Sequence, residues 1–207
     1  MTRKDNCMID VKTITDMQHE TVALWHDQPV TNTYDGILGV ACTQHSFNYL
    51  LWHEEDVARS RDVGDARIAE AKRAIDGYNQ NRNDWIEQLD EAIAEQLERD
   101  DVQAPESAPL NTETPGSAMD RLSILSLRMY HLEEQLERDD VGAEHLDSVR
   151  RKIAVCRIQH HELSKSLAEL LDDIFAGRKR HRTYRQMKMY NDPALNPYLY
   201  ETRRKAV

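Results

Sequence analysis

From His45 to Asp62 the sequence reads HSFNYLLWHEEDVARSRD, and it gathers most of the side-chain types that acid–base chemistry or anion binding requires. On an α-helix His45, Asn48, Trp52, Glu55, Arg59 and Asp62 follow one another at steps of three or four residues, so they share one stripe. Phe47, Leu50, Leu51 and Ala58 lie beside it, which sets the stripe at the border of an apolar face. A second cluster, KRAIDGYNQNRNDWIEQLD, aligns Lys72, Asp76, Asn79, Asn83 and Glu87, while Arg82 breaks the neighbouring apolar seam. Burying such groups costs a few kcal/mol each unless they are paired or hold a ligand. If the two stripes face each other, Glu55 with Arg82, or Asp76 with Arg59, would form a polar network in the core. Arg59, Lys72 and Arg82 would supply cations for an anionic ligand, and Glu55, Asp56 or His53 would handle protons. The competing reading is plain: charged residues at this spacing commonly decorate a solvated helix face, with gains of about 0.2–0.5 kcal/mol per pair.

Metal chemistry has thinner support. A carboxylate-bridged di-iron bundle uses paired Glu-x-x-His motifs, and the sequence contains none. Magnesium on Glu54, Glu55, Asp56 or Asp62 is compatible with composition alone, so the cofactor is left unassigned and no metal ligand is named. There is also no Gly-rich phosphate loop, G-x-S-x-G elbow or dinucleotide fingerprint. His160 is the single ionisable group in an otherwise apolar seam, and a core histidine bonded across the bundle explains it as simply as a functional one.

The elements that must carry these residues are helices. Seven Gly and six Pro in 207 residues leave long stretches of good helix formers. Apolar spacing predicts helices over about 8–28, 37–61 and 65–99. Two more come after them, marked by Leu122, Leu125, Met129, Leu132 and Leu136, then by Leu146 through Ile174, with a turn at 139–142 and a stop at Gly177. The seams of the last two have the three–four alternation of antiparallel bundles or coiled coils, and the alternative to a ligand-binding protein is a non-catalytic interaction or assembly protein in which these seams make a homodimer. Residues 100–118, rich in Pro, Ser, Thr and Glu, read as a flexible linker between two helical hairpins. The expected fold is therefore all-α: a single domain over 1–207, an antiparallel bundle of five or more helices. A basic C-terminal segment, 178–207, would pack on it, first as a short helix (RKRHRTYRQMKMY) and then extended. The octapeptide EQLERDDV occurs twice, at 95–102 and 134–141. It could mark repeated hairpins, although each copy is also just the acidic end of a helix before a turn.

Charge and cysteine usage narrow the setting. The net charge of −10 conceals an excess of +7 from Ala176 onward, which leaves −17 on the rest. An acidic body is a poor match to nucleic acid. No window approaches the roughly 18 apolar residues of a membrane span, and the N-terminus has no apolar signal core. Cys7, Cys42 and Cys156 are widely separated, as suits reduced buried thiols. These features point to a cytoplasmic protein, with a small anionic metabolite as the expected partner.

The segments LWHEEDVAR, KRAIDGYNQNRND and IFAGRKRHRTYRQMKMYNDPALNPYLY resemble a bacterial family catalogued as domain of unknown function 4254, over about Trp25 to Tyr200. The resemblance implies no activity, since none is established for that family. Its recurring motifs match His53, Glu55, Asp56, Arg59, Asp76, Asn79, Arg82, Asn83, Tyr190, Asn191, Asp192, Pro193, Asn196 and Pro197, and it implies a site among them.

Overall fold

The structure is a computed structural model that describes residues 9–189, 192 and 194–198. Five α-helices follow in order: α1 (Val11–Asp27), α2 (Gly36–Arg59), α3 (Asp65–Arg99), α4 (Pro115–Glu134) and α5 (Ala143–Phe175), with a 3₁₀ turn at Gln135–Glu137 after α4. Among the described residues there is no strand, and no helix is long and apolar enough to cross a membrane. The all-α bundle expected from periodicity is the fold observed.

Local signals explain the helix ends. Asp10 caps α1 by accepting the backbone N–H groups of Lys12 and Thr13. Thr114 caps α4 through Ser117 N–H, and Pro115 occupies the first helical position, where its missing N–H costs nothing. At the end of α5, Gly177 has φ +68°, and Arg178 N–H reaches back to the Asp173 carbonyl at 2.8 Å. Gly177 is therefore the stop its position in the sequence suggested.

Helices α2 and α3 form one hairpin, α4 and α5 another, and α1 lies across α4, α2 and α5. The core between them is built from Trp25, Leu89, Ile93, Met119, Leu122, Leu127, Leu167 and Leu171. The apolar seam of α5 is thus consumed within the chain: Val149, Ile153, Cys156, Leu167 and Ile174 are all buried. Cys42 and Cys156 are free and buried, and burial pushes the Cys42 thiol up to about 11. Cys7 lies outside the described residues.

Two expectations need correction. The connection after α3 stops at Thr114 rather than 118, because the Thr114 cap and Pro115 start α4 there. The connection is also tied down, with Ala108 buried and its carbonyl accepting Arg180 Nε at 2.8 Å. The short basic helix expected after Gly177 does not form among the described residues; residues 180–189 run along α3 as an irregular strap. Its polar groups find partners on other elements instead of in helical turns. Arg180 N–H donates to the Pro109 carbonyl, and a His181 ring nitrogen meets the Asp90 carbonyl at 2.7 Å. Further along, Gln186 N–H donates to Glu87 at 2.8 Å, and Arg185 pairs with Glu87 and Glu91. Past the strap, Asp192 accepts Ala194 N–H in a turn, and Leu195 and Tyr198 are exposed. Tyr190, Asn191 and Pro193 lie outside the described residues.

Candidate functional site

The α2 stripe faces α3 and α4, and its inner end is buried. Asp120, in the first turns of α4, is the centre of the polar cluster found there. Its carboxylate accepts Gln44 Nε2 at 2.6 Å, Asn48 Nδ2 at 2.9 Å and Arg82 Nε at 2.7 Å, and a second Arg82 nitrogen bonds its other oxygen. The Asp120 side chain is 6% exposed and that of Arg82 26%. This bidentate pair holds the Arg82 pKa above its usual value. Ser123 Oγ accepts Asn48 Nδ2 at 2.8 Å and lies 2.6 Å from Nδ1 of His45. His45 is fully buried and stacked on Trp25. Burial pushes its pKa down to about 3, against a smaller opposing effect of the Gln18 backbone, so the ring is neutral.

Outward from this network opens a cleft of about 330 Å³. Asn48, Trp52, Glu55, Asp56 and Arg59 line one wall from α2; Asn79 and Arg82 line the other from α3; Leu51, Ile124 and Leu127 supply apolar surface. Arg59 bridges Glu55 at 2.9 Å and Asp56 at 3.5 Å on its own helix, with its side chain 67% exposed.

The structure therefore brings together seven residues singled out by sequence: Asn48, Trp52, Glu55, Asp56, Arg59, Asn79 and Arg82. His45 stands behind them as part of the supporting network. The expected pairings are not those formed. Arg82 pairs with Asp120 rather than Glu55, because α4 closes the third side of the site and offers a buried carboxylate. Arg59 does not meet Asp76, since Glu55 satisfies it one turn away, and Asp76 pairs with Lys72 at 2.7 Å. Asn83 points to the strap, where Gln186 Nε2 donates to it at 3.1 Å. Asp192 lies in the C-terminal turn and does not line the cleft.

His53 also leaves the cleft. It packs at the junction of α1, α2 and α4 with His26 and His131, ring centroids 5.1–5.6 Å apart. Burial, then the neighbouring His26 and His131, lowers its pKa. His160 is half-buried beside an open hollow near Ile9 and Thr15, and burial holds its pKa down.

Sequence reasoning missed Gln44, Asp120, Ser123, His26 and His131. Asp120 and Ser123 did leave a trace: they flank Met119 and Leu122 at a spacing of three, a short polar stripe beside the apolar seam of α4.

The fold and site define the chain as a helical bundle with a buried carboxylate–guanidinium network beneath an open, mixed-charge cleft. Residues 39–183 match the family model described as protein of unknown function (DUF4254), and the chain belongs to that family. The match runs from α2 into the basic strap, leaving α1 outside. No curated protein and no solved structure matches the chain.

Proposed function

We propose that the cleft between α2 and α3 binds a small metabolite with an anionic group and an apolar or aromatic body. The observation that carries this reading is the convergence of Arg59 and Arg82 on one cleft whose lining also includes Trp52, Leu51, Ile124 and Leu127. Arg82 is fixed by Asp120, so its orientation is set before any ligand arrives, and little side-chain entropy is lost on binding. Arg59 is held only by exposed pairs on its own helix, worth a fraction of a kcal/mol, and can turn to an incoming carboxylate or phosphate. The rings and methyls of the cleft would take the rest of the molecule, as in most small-molecule sites. Glu55 and Asp56 stand at the same rim and are the groups that would exchange protons with a bound substrate. Cytoplasmic work suits the free buried thiols.

The test is a thermal-shift screen of the purified chain against nucleotides, sugar phosphates and aryl or alkyl carboxylates, since a ligand held only by the native state raises the midpoint. Arg59→Ala is the decisive variant, because Arg59 is exposed and its loss leaves the Asp120 network whole. A shift that disappears in Arg59→Ala supports the reading. A shift unchanged by Arg59→Ala, or no shift with any anion, overturns it.

A further inference from the structure

Three imidazoles from three helices meet on the side of α2 that adjoins α1. His26 comes from the last turn of α1, His53 from α2 and His131 from the end of α4, and one ring nitrogen of each lies within 4.8 Å of the others. Nε2 of all three is buried and has no hydrogen-bond partner among the described residues. The opposite nitrogens of two rings are committed. Nδ1 of His26 lies 2.7 Å from the Val22 carbonyl, and Nδ1 of His131 lies 2.7 Å from a carboxylate oxygen of Glu134. In a neutral ring either acceptor takes the proton on Nδ1, which leaves a lone pair on Nε2. Buried lone pairs without a donor are costly, and a shared cation would satisfy them.

Each ring also packs on an aromatic neighbour. His26 stacks on Tyr130 at 4.4 Å, His53 packs edge-on to Tyr49 at 4.4 Å, and His131 stacks on Trp52 at 4.8 Å. The carbonyl on His26 Nδ1 and the carboxylate on His131 Nδ1 are the outer partners that metal-binding imidazoles use to set tautomer and basicity.

We propose that His26, His53 and His131 form a binding site for a divalent transition-metal ion of the zinc class. Neutral imidazole suits zinc, copper, nickel and iron and suits magnesium or calcium poorly. With nitrogen–metal distances of about 2.0–2.1 Å, the ligating nitrogens, now within 4.8 Å of one another, would close to roughly 3.3 Å around the ion. Three histidines leave a coordination position for water or an anionic donor. This site is separate from the cleft proposed above and stands or falls without it, although Trp52 touches both.

The test uses the full chain, freed of metal with a chelator and titrated with Zn2+ by calorimetry and with Co2+ by its visible absorption. One equivalent of metal per chain is expected, with the intense bands of a low-coordinate Co2+ site. Glu134→Gln, which keeps the side chain but weakens the hold on His131, should lower affinity roughly 10–100-fold. His53→Ala and His131→Gln should each lower it further, and His19→Ala with His161→Ala should leave it unchanged. Far-ultraviolet circular dichroism identifies any variant that fails to fold, and the glutamine variants, close in size to the residues they replace, keep the comparison available if His53→Ala is lost. Failure of the wild-type chain to take up one equivalent overturns the proposal. So does uptake that the Glu134 and His131 variants leave intact, or uptake that depends on His19 and His161 instead.

Discussion

Replacing Asp120 with alanine removes the acceptor on which donors from α2 and α3 converge. Gln44 loses its bond to that carboxylate, Asn48 keeps only Ser123, and the Arg82 guanidinium loses both of its bonds to Asp120. Breaking one side of a buried ion pair costs about 3–5 kcal/mol, because the remaining charge is left without compensation. Arg82 is a quarter exposed and can recruit water, which argues for the lower part of that range; the orphaned Gln44 amide, fully buried, adds about 1–3 kcal/mol. A loss of about 4 kcal/mol is expected, equivalent to roughly 8–16 °C in Tm for a chain of this size. Urea unfolding followed by circular dichroism measures it, with an unchanged slope showing that the same transition is being compared. The double variant Asp120→Leu with Arg82→Met tests the cause, since deleting both charges together is often close to neutral. It should be more stable than Asp120→Ala alone by at least about 1 kcal/mol. A single-variant loss below about 1 kcal/mol, or a double variant less stable than the single, would refute the view that this pair organises the site.

Two further outcomes rest on the same physics. His45 has a folded pKa of about 3 against an ordinary 6.5, so the unfolded chain takes up the proton first as pH falls. Its stabilisation is complete above about pH 6.5 and declines toward pH 3, by about 1.4 kcal/mol per unit; unfolding free energies at pH 7.5 and 4.5 should therefore differ by up to about 3 kcal/mol more in the wild type than in His45→Gln, and equal differences would show that the ring is not buried as described. At Gly116 an added Cβ would stand 2.7 Å from the Ile86 carbonyl and 2.9 Å from the Asp90 carboxylate that receives Gly116 N–H, so Gly116→Ala should destabilise by about 1–3 kcal/mol through overpacking at the start of α4, measurable by the same unfolding assay and contradicted by a neutral result.

The features legible in the sequence were those that local spacing encodes. The range read for α3 coincides with the observed Asp65–Arg99, and those for α1 and α2 differ by at most three residues at either end, because apolar periodicity is a property of short windows. The polar stripe on α2 was visible for the same reason: polar side chains on the border of an apolar face break the period in a recognisable way. Its partner was not visible. Which helix closes the third side of the site depends on how the hairpins stack, so Arg82 was assigned to Glu55 on the adjacent helix when Asp120, 38 positions away, holds it. His26 and His131 were missed more completely, since they sit on different helices, far apart in sequence, and acquire a role only when three helices meet.

The repeated octapeptide separates local from distant causes most sharply. In its first copy the helix continues through Arg99, and the chain leaves through Asp101 at φ +51° with Val102 N–H bonded to the Leu97 carbonyl at 2.9 Å. In its second copy the α-helix ends at Glu134 and tightens into a 3₁₀ turn. Arg138, the counterpart of Arg99, is already extended, its guanidinium on Asp140 at 2.6 and 2.8 Å. Eight identical residues thus end two helices differently, and intrinsic propensity cannot be the cause. The cause is the length of chain available for each return. After α3 the chain has a fifteen-residue connection in which to turn, anchored by Arg180 on the carbonyls of Ala108 and Pro109. After the 3₁₀ turn only residues 138–142 remain before α5 must run back beside α4, where Arg157 already pairs with Glu133 at 2.9 Å. The short return goes with the earlier exit from the helix, which falls three residues after His131. Glu134, the last residue of α4, is also the one whose carboxylate meets His131 Nδ1, so the end of that helix and the orientation of the ring are linked.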